Sequence, residues 1–243
     1  MEPKGSASPR TAVVWAVLRA ELDRATGPLT VLDVGGGTGG FAVPLAIAGH
    51  QVTVIDASPD ALAALTRRAA EAGVADRVRA MQGDGDDLAD LVAPESADLV
   101  LCHSLLEVVD DPATVVKALA ATLRPGGVAS VLVANRVAAV LARAVGGHLG
   151  VAAALLTDQE GRTGARDTLR RRFDLDTATR LLTDGGLVVE QTNGVRVVAD
   201  LLPGAVLEGQ TDALLAFELA ASELSPYREI ATQLHLFARR PAD

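Results

Sequence analysis

The chain has 243 residues, 49% of them hydrophobic, enough to bury one full core as a single domain spanning 1–243. Its formal net charge of −9 argues against broad adhesion to nucleic acid or to an anionic membrane, while leaving room for a local basic patch. A single cysteine, Cys102, excludes an internal disulfide, and with one Trp, one Tyr and four Phe the core must be built from Ala, Val and Leu.

Ser8-Pro9 supplies a helix N-cap and a first-turn proline, and Val13, Val14, Val17, Leu18 and Leu22 recur at helical spacing until Gly27-Pro28. This predicts an N-terminal helical segment within 1–27. Arg10 falls in its first turn, where the helix dipole disfavours a cation, so a partner elsewhere is expected.

Leu29 to Gly40 reads Leu-Thr-Val-Leu-Asp-Val-Gly-Gly-Gly-Thr-Gly-Gly: a short buried strand, an acid, then a turn without side chains, with a helix opening at Phe41. Such a turn cradles a ligand. Gly35, Gly37 and Gly40 satisfy the dinucleotide-binding spacing, which alone leaves a nicotinamide enzyme open. Asp33, Gly35, Gly37 and Gly39 also satisfy Asp-x-Gly-x-Gly-x-Gly, which resembles the first motif of the class I S-adenosylmethionine-dependent methyltransferases. A nicotinamide turn usually carries an apolar residue where Asp33 stands. A cofactor with a free amino-acid end and a sulfonium tolerates a carboxylate there.

His50 to Asp56 reads as the second strand, closed by an acid about twenty residues past the turn, the place from which a carboxylate accepts both hydroxyls of a ribose. Ser58-Pro59 can open the next helix, which leaves Asp56 for that task. After a helix over Ala61 to Ala72, Val78 to Met81 is a short third strand leading into Gln82-Gly-Asp-Gly-Asp-Asp-Leu88. The acids Asp84, Asp86, Asp87 and Asp90 lack the closing Glu and the length of a calcium loop, so adenine recognition by a backbone amide and one Asp is expected, and no metal. Spacing does not say which Asp.

Ala97 to His103 is the fourth strand, placing His103 at the carboxyl end of a central strand, where open parallel sheets bind ligands. A helix over Ala113 to Leu123 stops at Arg-Pro-Gly-Gly127 before a fifth strand, Val128 to Asn135. From Arg136 the alternation of strand and helix fails. Residues 131–180 hold eight arginines against five acids, a local net of +3 in a chain of −9. The apolar run Val137 to Leu156 is interrupted by Arg143 and Gly146-Gly147, so two short helices are expected rather than a membrane span. Gly161 to Arg172 carries Arg162, Arg166, Arg170, Arg171 and Arg172, and 136–175 reads as an electropositive, lid-like insertion. A helix over Asp176 to Thr183, a sixth strand over Leu187 to Gln191, a helix over Thr211 to Leu224 and a last strand over Ile230 to Arg239 complete the chain. The fold class is therefore α/β: a doubly wound, mostly parallel, seven-stranded sheet with a helical, Arg-rich insertion after the fifth strand. No charged-then-apolar leader opens the sequence, so a cytoplasmic location is expected.

Pro-Arg10-Thr-Ala-Val-Val-Trp15, Leu-Asp33-Val-Gly-Gly-Gly, His103-Ser-Leu-Leu-Glu107, Leu-Arg-Pro-Gly-Gly127, Asn193-Gly-Val-Arg196-Val and Pro226-Tyr227 followed by Leu-His235-Leu resemble the tRNA 5-carboxymethoxyuridine methyltransferase family. The resemblance implies a Rossmann-like methyltransferase fold and S-adenosyl-L-methionine as cofactor. It implies that Arg10 holds the cofactor carboxylate, Gly35 and Gly36 line its amino-acid end beside Asp33 and Gly37, Asp56 holds the ribose, Gly85-Asp86 the adenine, and His103 floors the site near the reacting methyl. A carboxylate acceptor is already ionised and needs no general base. It needs an arginine to orient it, for which Arg196 and Arg166 to Arg172 are candidates, whereas a hydroxyl or amine acceptor would make His103 the first candidate for a base. Where the family tends to have aromatics, Val108 and Ala134 stand here. The expected partner is thus either tRNA, held through Arg162–Arg172, or a small-molecule acceptor.

Overall fold

A computed structural model describes residues 8–158, 160–162, 167–202 and 210–242. Its seven strands are β1 (Thr30–Val34), β2 (Gln51–Asp56), β3 (Val78–Gln82), β4 (Ala97–His103), β5 (Leu123–Ala134), β6 (Val188–Val195) and β7 (Gln233–Arg239). They form one sheet in the order β3-β2-β1-β4-β5-β7-β6. The strands from β3 across to β5 all pair in parallel. The central strands carry near-continuous apolar runs because helices cover both faces of such a sheet: Leu99 to Cys102 of β4 are all fully buried, whereas edge strand β3 has no buried residue.

The residues group into two compact units. The first, here the sheet unit, comprises Ala25–Val133, Thr177–Gln191 and Leu236–Asp243. It contains helices α2 (Ala42–Ile47), α3 (Pro59–Glu71), α4 (Leu88–Leu91) and α5 (Pro112–Thr122) and most of α8 (Leu175–Asp184). The starts of the longer helices follow from local chemistry. Ser58 Oγ accepts from the Ala61 amide at 3.2 Å and Asp111 Oδ1 from the Ala113 amide at 3.0 Å, each with a proline following at the first helical position.

The expected stop at Arg-Pro-Gly-Gly127 is instead part of β5. Pairing with β4 slips between Ala97, opposite Leu123, and Leu99, opposite Val128, so Arg124–Gly127 bulge from the ladder. Gly126, at φ +79°, supplies the left-handed residue that the bulge requires, and its amide donates to Arg240 O while Gly127 O accepts from the Arg240 amide. The last strand also begins later than its alternation suggested, at Gln233, because Tyr227–Ile230 close into a helical turn.

The second unit, Met1–Arg24, Ala134–Asp176 and Thr192–His235, is mainly helical. It holds α1 (Ala12–Leu22), α6 (Arg136–Val145), α7 (Leu149–Thr157), α9 (Thr211–Ala221) and α10 (Tyr227–Ile230). Arg10 is not in the first turn of α1. The Thr11 and Ala12 amides donate to Ser8 O, closing a turn that holds Arg10 ahead of the helix. Gly146-Gly147 divides α6 from α7 as expected, and no described helix is long and apolar enough to cross a membrane. Asn135 caps α6 by accepting from the Val137 amide at 2.9 Å. Its own amide donates to Glu229 O at 2.8 Å and Ala231 O at 2.7 Å, so one buried side chain ties the start of α6 to the segment before β7.

Candidate active site

The strand order reverses between β1 and β4, and open α/β sheets bind ligands at the carboxyl ends of the strands flanking such a reversal. Register brings the sequence-predicted groups of the sheet unit to that edge. Val34 lies opposite Ile55 on one side and Cys102 on the other, so Asp33, Gly35, Asp56 and His103 emerge side by side. The turn itself has little slack. Gly35 is at φ +73° with Leu105 against it, and a Cβ on Gly36 would stand 2.5 Å from the Asp33 carboxylate. Gly37, at φ +55°, meets only Asp56 Oδ2, at 3.9 Å. Backbone at Gly37 is therefore open to a ligand where side chains crowd its neighbours.

Asp56 is fixed by its own surroundings. Oδ2 accepts from the Gly37 amide and Oδ1 from the Ser58 amide, both at 2.9 Å. A carboxylate has about four lone-pair sites, so each oxygen can accept one further bond, the pattern a vicinal diol offers. With Ser58 Oγ capping α3, the helix has no need of Asp56 as its cap.

Burial sets the protonation of the two groups beneath. Asp33 is buried, and loss of hydration, reinforced by the negative charge of Asp56, lifts its carboxyl to about 7. A cation placed at this edge would favour the charged form, which suits a ligand carrying an ammonium and a sulfonium. His103 moves the opposite way: enclosure lowers it to about 4, so the ring is neutral near pH 7. One ring nitrogen, Nε2, lies 2.9 Å from Ser130 Oγ on β5, and the edge of Phe41 meets the ring in a T-shaped contact with centroids 4.6 Å apart. A neutral, oriented imidazole is a modest proton acceptor and a close-fitting floor. Cys102 is buried with its thiol pushed up by loss of hydration, which leaves it inert.

In the loop after β3, Asp84 caps a single 3-10 turn over Gly85–Asp87, and Asp86 Oδ2 accepts from the Asp110 amide at 3.3 Å. Gly85 is buried, and Leu105 would be 3.0 Å from a Cβ there. Leu105 thus packs on both glycine segments. Among the described residues no group of three His, Cys, Asp or Glu side chains is placed to hold a metal.

The helical unit gathers a different set. Arg196 ends the excursion from β6 at φ +60°, a left-handed conformation uncommon for a residue with a Cβ. Its Nη1 lies 3.1 Å from Asp200 Oδ2, and Arg10 Nη2 approaches the other oxygen, Oδ1, at 3.8 Å. Two guanidiniums that the sequence marked out separately share one carboxylate.

The Methyltransferase domain family profile matches residues 31–127. The tRNA 5-carboxymethoxyuridine methyltransferase of Escherichia coli strain K12 is 32% identical over 239 residues, covering 96% of this chain and 88% of that protein. The chain belongs to the S-adenosylmethionine-dependent methyltransferases. A Ubiquinone biosynthesis O-methyltransferase of Xanthomonas euvesicatoria pv. vesicatoria is 38% identical, over 48% of each chain. Among solved structures, an S-adenosylmethionine dependent methyltransferase from Mesorhizobium loti superposes with a TM-score of 0.66 at 21% identity, over 94% of this chain and 98% of that one. The 1,6-didemethyltoxoflavin-N1-methyltransferase of Burkholderia thailandensis does so with 0.59 at 20% identity, over 98% and 80%. Likeness at that identity is likeness of fold. The cofactor of this methyltransferase is S-adenosyl-L-methionine, which when bound supplies an electrophilic methyl group on a sulfonium.

Several groups of the methyltransferase were not singled out from its sequence. Ser130 and Phe41 position His103, and neither carries a local signal, since only the β4–β5 pairing and the turn into α2 bring them there. Asp200 stands four residues after Arg196 in a non-helical segment, where that spacing alone does not signal the ion pair. Glu218 is a lone acid in the apolar run of α9. It is fully buried, and its carboxylate accepts from the Val197, Val198 and Ala199 amides at 2.7, 2.9 and 2.9 Å.

The arginine-rich stretch is less available than its composition suggests. Arg172 is mostly buried, bound to both oxygens of Asp167 and to Gly161 O, while Arg171 Nε lies 3.6 Å from Glu160 and Arg136 pairs with Asp174. Arg162 and Arg170 are exposed, and Arg166 lies outside the described residues. Arg171 and Arg172 therefore serve the internal structure of this segment, because the acids interleaved with them lie within reach of their guanidiniums.

Proposed function

We propose that this methyltransferase transfers the methyl group to a carboxylate oxygen, and that the carboxylate is carried by a modified wobble uridine of tRNA, which puts the enzyme in the cytoplasm. The observation carrying the reading is the pair of guanidiniums, Arg10 and Arg196, converging on one carboxylate in a chain matched over 96% of its length by a tRNA 5-carboxymethoxyuridine methyltransferase. Planar guanidinium forks recognise carboxylates by geometry as well as by charge. A carboxylate is ionised near neutral pH, so no residue has to remove a proton, and a His103 held neutral and weakly basic is consistent with a floor rather than a base. The chain's contribution is then position. Gly35, Gly36 and Gly37, with Asp33, line the amino-acid end of the cofactor, Asp56 the ribose, and Gly85-Asp86 the adenine; Arg10 holds the cofactor's carboxylate, and Arg196 orients the acceptor's. Orientation of this kind contributes roughly 7–11 kcal/mol to such reactions.

A second reading, a small-metabolite acceptor, draws on the partial likeness to a Ubiquinone biosynthesis O-methyltransferase and on the internal pairing of Arg171 and Arg172, which reduces the cationic surface left for RNA. The test is transfer of tritiated methyl from S-adenosyl-L-methionine to tRNA bearing 5-carboxymethoxyuridine, beside a panel of metabolite carboxylates and phenols. Label in tRNA that disappears with Arg196→Ala supports the proposal. Label confined to a metabolite, with tRNA inert, overturns it.

A further inference from the structure

Asp200 is the third member of the Arg10–Arg196 cluster, and three observations set it apart from an ordinary surface ion pair. Arg196 is rigidly presented. The three amides that follow it donate to the buried carboxylate of Glu218, and its own carbonyl accepts from the Thr232 amide at 3.2 Å, so the backbone is fixed on both sides of its left-handed residue. Asp200 comes immediately after that clamp.

The pairing is also incomplete. Asp200 meets Arg196 through Nη1 at 3.1 Å, while Arg196 Nε is buried with no hydrogen-bond partner among the described residues. The edge of a guanidinium formed by Nε and an Nη binds a carboxylate through two parallel bonds, the stronger mode. Here that mode is unused at a donor that burial makes costly to leave unmade. Arg10, meanwhile, is well exposed and reaches Asp200 only at 3.8 Å, so among the described residues these two cations share one anion.

We propose that Asp200 is an internal surrogate for the ligand carboxylate: it holds the two guanidiniums together until an incoming carboxylate takes Arg196 over through Nε–H and Nη–H and displaces it. The inference rests on the carboxylate reading above, since it concerns the same arginines, and it assigns Asp200 a role in selecting for acceptors able to outcompete a carboxylate. A neutral acceptor cannot make that exchange.

A displaced surrogate and a positioning counter-ion predict opposite signs for one substitution. Asp200→Asn keeps the shape and the hydrogen bond to Arg196 and removes the competing charge. The experiment titrates the full-length protein with sodium acetate, at ionic strength held constant with chloride, and follows the side-chain Nε–Hε resonance of Arg196, assigned by its loss in Arg196→Lys. A surrogate gives saturable acetate binding that is tighter in Asp200→Asn by on the order of tenfold. Asp200→Ala, with the melting profile of each variant recorded, shows the same sign. Binding that is weaker or unchanged in both variants, or no response to acetate in any form of the protein, overturns the proposal. Acetate is not the proposed methyl acceptor, so the two readings fail separately. Tighter acetate binding with inert tRNA leaves Asp200 a surrogate and removes the tRNA reading, and methylated tRNA without the acetate effect does the reverse.

Discussion

The two units solve the problem of holding charge in different ways. In the sheet unit the carboxylates beside the glycine turn and in the loop after β3 accept from backbone: Asp56 from the Gly37 and Ser58 amides, Asp86 from the Asp110 amide, with glycines keeping side chains out of the way. In the helical unit the working groups are held by other side chains: Arg196 and Arg10 by Asp200, Arg172 by Asp167, and the 197–199 loop by Glu218. Backbone amides come with the chain and depend on local conformation. A side-chain partner, unlike a backbone amide, can be removed alone by one substitution.

The sharpest break between the two strategies is therefore a single substitution in the helical unit. Glu218→Ala leaves three amides without their acceptor in a buried site and frees Arg196 from its conformation, with an expected loss of about 3–5 kcal/mol measured by denaturant unfolding. Glu218→Gln, which retains one acceptor oxygen, should lose less. A loss below about 1 kcal/mol in Glu218→Ala would mean the loop is held by something else.

In the sheet unit the corresponding test is a matter of pH. Asp33 has its carboxyl raised to about 7 in the folded protein, so between the ordinary carboxylate range and that value the native state binds a proton that the unfolded chain has released. Stability through this group is greatest at low pH and falls as pH rises to about 7. His103, lowered to about 4, has the opposite slope: it stabilises the fold increasingly as pH rises from about 4 to its ordinary value of 6.5. The two largely offset each other in the wild type below pH 6, and the difference between wild type and Asp33→Asn isolates the acid. Asp33→Asn should match the wild type near pH 4 and exceed it by about 4 kcal/mol at pH 8, read from thermal melts across that range. Equal stability at both pH values would show that Asp33 is ionised at no cost.

Gly36→Ala probes how tightly the turn fits. A methyl group 2.5 Å from the Asp33 carboxylate must move one or the other, at a cost of about 1–3 kcal/mol, and the cost should fall on the turn proposed above to line the cofactor's amino-acid end. Calorimetric titration with S-adenosyl-L-methionine should show affinity reduced roughly 5- to 150-fold. Unchanged affinity would separate Asp33 from the cofactor.

The same contrast explains what the sequence could and could not convey. The parallel sheet, the glycine turn and the acids at the ends of β1 and β2 were legible because each rests on residues adjacent in the chain. The bulge at Arg124–Gly127 was not, since Gly-Gly after a helix signals a stop equally well, and only the Arg240 backbone on β7's far side turns it into strand. Glu218 and Asp200 were hidden for a similar reason: an acid in an apolar helix becomes informative only when the Val197 to Ala199 amides are brought against it, and an acid four residues after an arginine only when Arg10 is brought to it as well. Composition alone does not apportion the arginine-rich stretch, because counting charges over residues 131–180 registers a net surplus but not that Asp167, Glu160 and Asp174 lie within reach of Arg172, Arg171 and Arg136.

That last point yields the smallest effect and the most specific one. If the helical unit binds the phosphates of a single-stranded loop, the arginines doing so are the exposed ones, Arg162 and Arg170, and the buried Arg172 contributes only to structure. Removing one phosphate-binding cation lowers the slope of log affinity against log salt by about 0.7 for single strands. Arg162→Ala and Arg170→Ala should each flatten the salt dependence of tRNA binding by that amount, measured by fluorescence anisotropy over a range of salt, and Arg162→Ala should leave the melting temperature unchanged. Arg172→Ala should lower the melting temperature, since it strands Asp167 in a mostly buried position, and leave the salt slope as it was. The reverse pattern, a flattened slope only in Arg172→Ala, would mean that the Arg172–Asp167 pair opens to receive RNA, and that side-chain partners in this unit are exchanged on binding at more than one place.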